Sequence, residues 1–196
     1  MQKEASRLQR LTEELSELSK AEAGALSLRY EPTDPRQLVR DAADRLQPQF
    51  QDKDVTLRVE LPEYLPTVEM DAERILQVML NLLGNALQYT EPGGSVRLQC
   101  RAPGAELCIA VSDTGIGIPP EDLPRLFERF YRVDKSRARS RGGSGIGLTI
   151  AAHIVRAHNG TIDAESRGPG YGSTFRFCIP ITGDRGDTGN RGDGAA

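Results

Sequence analysis

Apolar residues recur along this chain with two periods, and the alternation between them predicts a mixed α and β domain. The first segment spaces Leu8, Leu11, Leu15 and Leu18 by three and four, with Glu, Lys, Arg and Ser between them. That narrow seam predicts a helix pairing with a helix outside this stretch, ended by Gly24. A linker follows over 25–35, where Pro32 and Pro35 disfavour helix in the residues before them. Leu38, Ala42 and Leu46 mark the next helix, and the alternation from Val55 to Val59 marks a strand. In the clearest helix Asp71 is placed to cap, Met70 and Ile75 to staple, and Ile75, Val78, Met79, Leu82, Leu83 and Ala86 trace one apolar face. Strands at 96–101 and 106–112 flank a Pro103-Gly104 turn. A short helix and a basic stretch follow. A helix from about Gly145 to His158 is stopped by Asn159-Gly160, and strands at 161–166 and 173–179 close the ordered part. From 182 to 196 the glycine-rich, low-complexity sequence predicts a disordered tail.

Composition narrows the function classes. The chain has 196 residues, 25 Lys and Arg against 28 Asp and Glu, a net charge of −3 and 38% hydrophobic residues. This is an ordinary soluble balance and gives no global electrostatic hold on nucleic acid. No apolar run reaches the roughly 20 residues of a membrane span. Cys100, Cys108 and Cys178 lack a CxxC spacing, so neither a disulfide framework nor a zinc site is expected, and all three read as reduced, buried thiols.

Four features then stand in a fixed order. Asn81 and Asn85 lie four apart, so both amides project from one side of their helix, away from the apolar face. They suit either a solvated surface or a magnesium ion, which takes hard oxygen ligands beside substrate phosphates. Val111-Ser112-Asp113-Thr114-Gly115-Ile116-Gly117-Ile118-Pro119 ends an apolar strand with an acceptor for an exocyclic amine, and Gly115 and Gly117 let the backbone approach a flat ligand closely. Leu126-Phe127-Glu128-Arg129-Phe130-Tyr131-Arg132 leads into residues 132–141, with four Arg and one Lys against one Asp. Such a segment can meet a triphosphate, and it has too little aromatic interleaving for a nucleic-acid patch. Gly142-Gly143-Ser144-Gly145-Ile146-Gly147-Leu148 opens a helix, whose free N–H groups favour anions. No Lys-Ser/Thr follows the glycines, as a P-loop requires, and no apolar strand precedes them, as a dinucleotide fold requires.

In this combination and order, the four boxes resemble the catalytic and ATP-binding domain of sensor histidine kinases, within the GHKL ATPase superfamily, from about residue 33 to 181. The resemblance implies an α+β two-layer sandwich, a mixed sheet covered on one face by helices, with ATP and Mg²⁺ as ligands. It assigns Asn81 and Asn85 to magnesium, with Asn85 the firmer ligand, and Asp113 to adenine. It assigns Gly115 and Gly117 to the first glycine box, Phe127 and Phe130 to the phenylalanine box, and Tyr89 to packing on adenine. Arg132 falls where a lid arginine reaches phosphate, so Asn81, Asn85 and Arg132 are the implied catalytic set. Gly143, Ser144, Gly145, Ile146, Gly147 and Leu148 match the second glycine box. Gln88 departs from the family's usual Lys or Arg, which implies weaker affinity for ATP.

By the same resemblance, residues 1–24 are the end of a dimerisation helix, 25–35 the linker, 36–181 the catalytic domain and 182–196 the tail. The family's phosphoacceptor histidine has no match: His153 and His158 both lie in the helix after the second glycine box. The chain is therefore expected to be a soluble, cytoplasmic fragment, monomeric on its own, of a homodimeric membrane sensor. Its implied partners are its own dimerisation domain and a response regulator receiver domain, with no nucleic acid. Asn81 stands where hydrolysing relatives carry a water-activating glutamate, and an amide is no general base. Slow hydrolysis and transfer to histidine follow. A nucleotide-binding module without transfer, or another GHKL-type ATPase or serine kinase, is the alternative.

Overall fold

The computed structural model describes Thr12, Ser16, Ser19 and residues 26–131 and 145–181. The leucine seam, Arg132, Gly143, Ser144 and the 182–196 tail lie outside the described residues. In chain order the elements are β1 (Glu31–Thr33), α1 (Pro35–Asp52), β2 (Thr56–Glu60), β3 (Val68–Met70), α2 (Ala72–Tyr89), β4 (Ser95–Arg101) and β5 (Glu106–Asp113). A 3₁₀ turn (Leu123–Arg125), α3 (Gly147–Ala157), β6 (Thr161–Glu165) and β7 (Ser173–Pro180) follow.

Five strands form one sheet in the order β2-β4-β5-β7-β6. The β2–β4 pair is parallel and the other three pairs are antiparallel, so the sheet is mixed, as expected. The parallel pair is joined through α2, since parallel neighbours need a crossover longer than a hairpin. Alternation decides the two faces. Val96, Leu98 and Cys100 of β4, Leu107, Ile109 and Val111 of β5, and Phe175, Phe177 and Ile179 of β7 are all buried. They meet the apolar stripes of the helices, including Val39 and Ala42 of α1, Val78, Met79 and Leu82 of α2, and Ile150 and Ile154 of α3. Their strand neighbours Arg97, Arg101 and Arg176 stand exposed on the other face.

Local chemistry fixes the helix starts. Asp34 accepts from the Arg36 N–H, with Pro35 in the first turn of α1. Asp71 accepts from the Arg74 N–H, and Met70 and Ile75, placed as a staple, are both fully buried. The last turn of α2 carries no basic residue of its own, yet Lys53 Nζ donates to the Leu87 and Gln88 carbonyls at 2.6 and 3.1 Å. A cation there offsets the negative end of the helix dipole.

Two expectations are corrected. The 25–35 segment is not only a linker: Glu31–Thr33 pairs antiparallel with Val68–Met70, a strand too short to show an alternation of its own. The cysteines are not three separate thiols. Cys108 and Cys178 face each other across β5 and β7 and are joined as a disulfide, a long-range pairing that spacing along the chain cannot reveal. Cys100 is free and buried, and burial pushes its thiol up to about 12.

Candidate active site

Asp113 ends β5, where the sheet gives way to the first glycine loop. Its carboxylate is half-buried and accepts the Gly115 N–H at 2.7 Å and the Ser173 hydroxyl at 2.5 Å. Burial pushes the carboxyl above its ordinary range, while the hydrogen bonds from Ser173 and Gly115 pull it down. Two of its lone-pair positions are thus fixed by protein, and the rest are aimed by that fixation.

The glycines beside it serve the protein's own packing. A Cβ on Gly115 would overlap the Tyr89 carbonyl oxygen, and one on Gly117, at φ +72°, would overlap the Gly168 carbonyl. The close approach foreseen at these glycines is therefore between backbone segments of this chain. A second loop, Ser166 to Ser173, locks onto the first. Gly170 N–H donates to Ile116 O at 2.6 Å, Gly172 N–H to Gly115 O at 3.1 Å, and Ile118 N–H to Ser166 Oγ at 3.0 Å. The sequence reading passed over this loop, although Gly168-Pro169-Gly170-Tyr171-Gly172 is as glycine-rich as the boxes it singled out.

On α2 the two asparagines part company. Asn81 Nδ2 donates to the Gly147 carbonyl at 3.1 Å and so braces the start of α3. Asn85, one turn on and half-buried, has no side-chain hydrogen bond among the described residues. Its side chain is the less committed of the two, and its amide oxygen is a hard donor suited to magnesium. Among the described residues no side chain caps the start of α3, and a helix start favours an anion. Gly145 enters it at φ +74°, Ile146 is buried and Leu148 packs against the core.

The phenylalanine box also divides. Phe127 is half-buried against the core and meets Phe175 edge to face at 6.4 Å, whereas Phe130 is 59% exposed at φ +58°. Tyr89 is half-buried at the end of α2, where its carbonyl accepts the Ile116 N–H at 3.2 Å. The structure therefore gathers Asn81, Asn85, Tyr89, Asp113, Gly115, Gly117 and Gly147 around α2 and the two loops.

The incoming segment reaches the same helices. Asp71 accepts the Arg29 N–H at 2.9 Å, the Tyr30 ring lies 5.4 Å from the His158 ring, and His158 Nε2 accepts the Asp71 N–H at 3.1 Å. His158 Nδ1 then donates to Ile154 O at 2.8 Å, which caps α3 with a neutral ring. Burial holds His158 below its ordinary range, against the Ile154 carbonyl and the Asp71 carboxylate, which favour the cation. The unfolded chain protonates first, near pH 6.5, so this stability is complete above about 6.5 and is lost as pH falls below it, until the folded value is reached. Urea unfolding across pH should show a slope of at most about 1.4 kcal/mol per pH unit from this proton, and His158→Gln should remove it.

The chain is similar in sequence and in fold to known proteins. Residues 70–183 match the family described as histidine kinase-, DNA gyrase B-, and HSP90-like ATPase. The sensor-like histidine kinase SenX3 of Mycobacterium tuberculosis is 39% identical over 177 residues, 90% of this chain and 43% of SenX3. The chain thus spans less than half the length of that relative. Full-length ShkA, solved in complex with AMPPNP, superposes with a TM-score of 0.80 at 30% identity, over 90% of this chain and 36% of ShkA. The catalytic domain of histidine kinase ThkA gives 0.69 at 26%, over 79% of this chain and 97% of that domain.

Proposed function

The chain belongs to the histidine kinase-, DNA gyrase B-, and HSP90-like ATPase family as the ATP-binding catalytic domain of a sensor histidine kinase, and from that premise we propose that it transfers the γ-phosphoryl of ATP to a histidine of the dimerisation domain of its parent protein. The observation that carries this reading is that α2 joins the two sides of the site: Tyr89 at its end accepts from the loop of a half-buried Asp113 held by Gly115 and Ser173, and Asn81 braces the start of α3, with Asn85 between them.

Asp113 accepts from the exocyclic amine of adenine, which selects the base. Asn85 holds Mg²⁺, which when bound neutralises charge on the triphosphate oxygens. Asn81 is a positioning residue: by holding Gly147 it keeps the α3 start facing the same space as Asn85. With an amide in place of a general base, water is not activated and the phosphoryl group is kept for the histidine. Arg132, Gly143 and Ser144 complete the phosphate side of this proposal by sequence match, and Phe127, Phe130, Ile146 and Leu148 flank them along the chain. The segment before residue 36 belongs to the dimerisation helix and linker. Downstream, the phosphohistidine serves a response regulator receiver domain. The parent is a homodimeric sensor, with this domain in the cytoplasm. Among the described residues no helix is long and apolar enough to cross a membrane.

The test is transfer in trans. Incubated with labelled ATP, Mg²⁺ and the histidine-bearing dimerisation domain, the chain should deposit an acid-labile, base-stable label on that histidine. Tight Mg-ATP binding without label transfer would instead make it a nucleotide-sensing module. Asn85→Ala should weaken binding about tenfold in the presence of Mg²⁺ and little in its absence, by titration calorimetry.

A further inference from the structure

The β5–β7 ladder that presents Asp113 and Ser173 at one end carries a second pair of reactive groups toward the other. Cys108 and Cys178 are register partners with Cα atoms 4.1 Å apart, near the spacing of closely opposed antiparallel residues. They point away from Leu107, Ile109, Phe177 and Ile179, toward the sheet face that carries Arg97 and Arg176 and not the helices. Cys108 is half-buried and Cys178 is 9% exposed, so reagents approach from the Cys108 side. Glu106 lies on the same face, with a carboxylate oxygen within 4.8 Å of both sulfurs, and Arg101 stands opposite Cys108 on β4. Cys100, by contrast, points into the core.

We propose that Cys108 and Cys178 are a reversible thiol–disulfide modification site, oxidised by peroxide, that staples β5 to β7. A Cys108 thiolate attacks one oxygen of hydrogen peroxide. The O–O bond breaks, and the departing hydroxide takes the proton released by the thiol to leave as water. The Cys178 sulfur then attacks the resulting sulfenic acid, forming the S–S bond, and the second oxygen leaves as water with the second thiol proton. Two sulfurs together lose two electrons and the peroxide gains two. Neither strand has to move, because the ladder already holds the sulfurs face to face. In a reducing compartment such a pair is a transient, redox-sensing disulfide and not a permanent one. The site stands on the ladder geometry alone and is independent of phosphotransfer.

The cross-link spans 70 residues of sequence, so it restricts the unfolded chain strongly, and the oxidised protein should melt on the order of 10 °C higher than the reduced one. The experiment reduces the full chain with dithiothreitol, removes the reductant, adds stoichiometric hydrogen peroxide, traps free thiols with maleimide and digests without reductant. The expected product is one peptide pair linked through Cys108 and Cys178, lighter by two hydrogens, with Cys100 unlinked, the melting temperature raised and both changes reversed by dithiothreitol. Cys108→Ser and Cys178→Ser should each give neither the link nor the rise. Maleimide labelling of both thiols after peroxide, sulfinic acids or intermolecular dimers in place of the internal link, or a linked chain that melts with the reduced one would overturn the proposal.

Discussion

Asp113→Asn is expected to lower affinity for a non-hydrolysable ATP analogue by about 100-fold, the value of one hydrogen bond to a charged acceptor in a partly buried site. The substitution is nearly isosteric, and the fold has a way to keep it. The amide oxygen can still accept the Gly115 N–H, and the amide nitrogen can donate to Ser173 Oγ, since a hydroxyl both gives and receives. The carboxylate's remaining acceptor capacity is what disappears, and with it the partner for an exocyclic amine. Calorimetric titration should therefore show the loss while thermal unfolding without nucleotide changes little. A variant that binds as well as the parent would sink the adenine assignment. The raised titration of Asp113 adds a pH signature. Its acceptor form is lost as pH falls through a value above the ordinary carboxylate range, so nucleotide affinity should weaken on acidification earlier than an exposed aspartate would allow.

Gly172→Ala should produce the largest loss of stability, on the order of 3 kcal/mol or more, from left-handed strain plus a backbone clash. Gly172 sits at φ +67°, and a Cβ there would overlap the Asp113 carbonyl oxygen. That neighbour is main chain and cannot rotate away, so either Asp113 shifts or the loop detaches from Gly115. Nucleotide binding should fall together with stability, because the same bonds place the carboxylate. Gly84→Ala makes the contrast. Gly84 lies within α2 with nothing inside 4 Å of its Cβ position, so alanine should stabilise the helix by up to about 1 kcal/mol. Chemical denaturation of the two variants beside the parent distinguishes them, and equal effects would refute the geometric account.

The elements with strong periodicity were legible from residues alone. The stripe from Ile75 to Ala86, the Asp71 cap and the alternation of Val96, Leu98 and Cys100 each encode their own secondary structure, because helix and strand periods are local properties of the chain. Short strands were less visible: β1 and β3 have three residues each, too few for a period to stand out in the sequence, and they pair with one another. The four motif boxes were likewise legible, because a glycine cluster or an i, i+4 asparagine pair is contiguous in sequence.

What the boxes mean to one another was not. Sequence placed Asn81 and Asn85 on one helix side, and only the resemblance ranked Asn85 the firmer ligand; folding brings the Gly147 carbonyl to Asn81 and leaves Asn85 without a side-chain hydrogen bond among the described residues, a difference made 66 residues away. Sequence read Gly115 and Gly117 as room for a ligand; folding shows the room already taken by the carbonyls of Tyr89 and Gly168. It passed over Ser173, whose hydroxyl reaches Asp113 only because β5 and β7 pair with those residues in register, and over the Cys108–Cys178 bridge for the same reason. By itself, then, the sequence determined the longer elements, the Asp71 cap and the residue types of the four boxes, since these follow from periods and spacings of a few residues. Only the tertiary structure decided which donors those residues retain, because a hydrogen bond depends on ångström-scale distances between segments that the chain order leaves far apart.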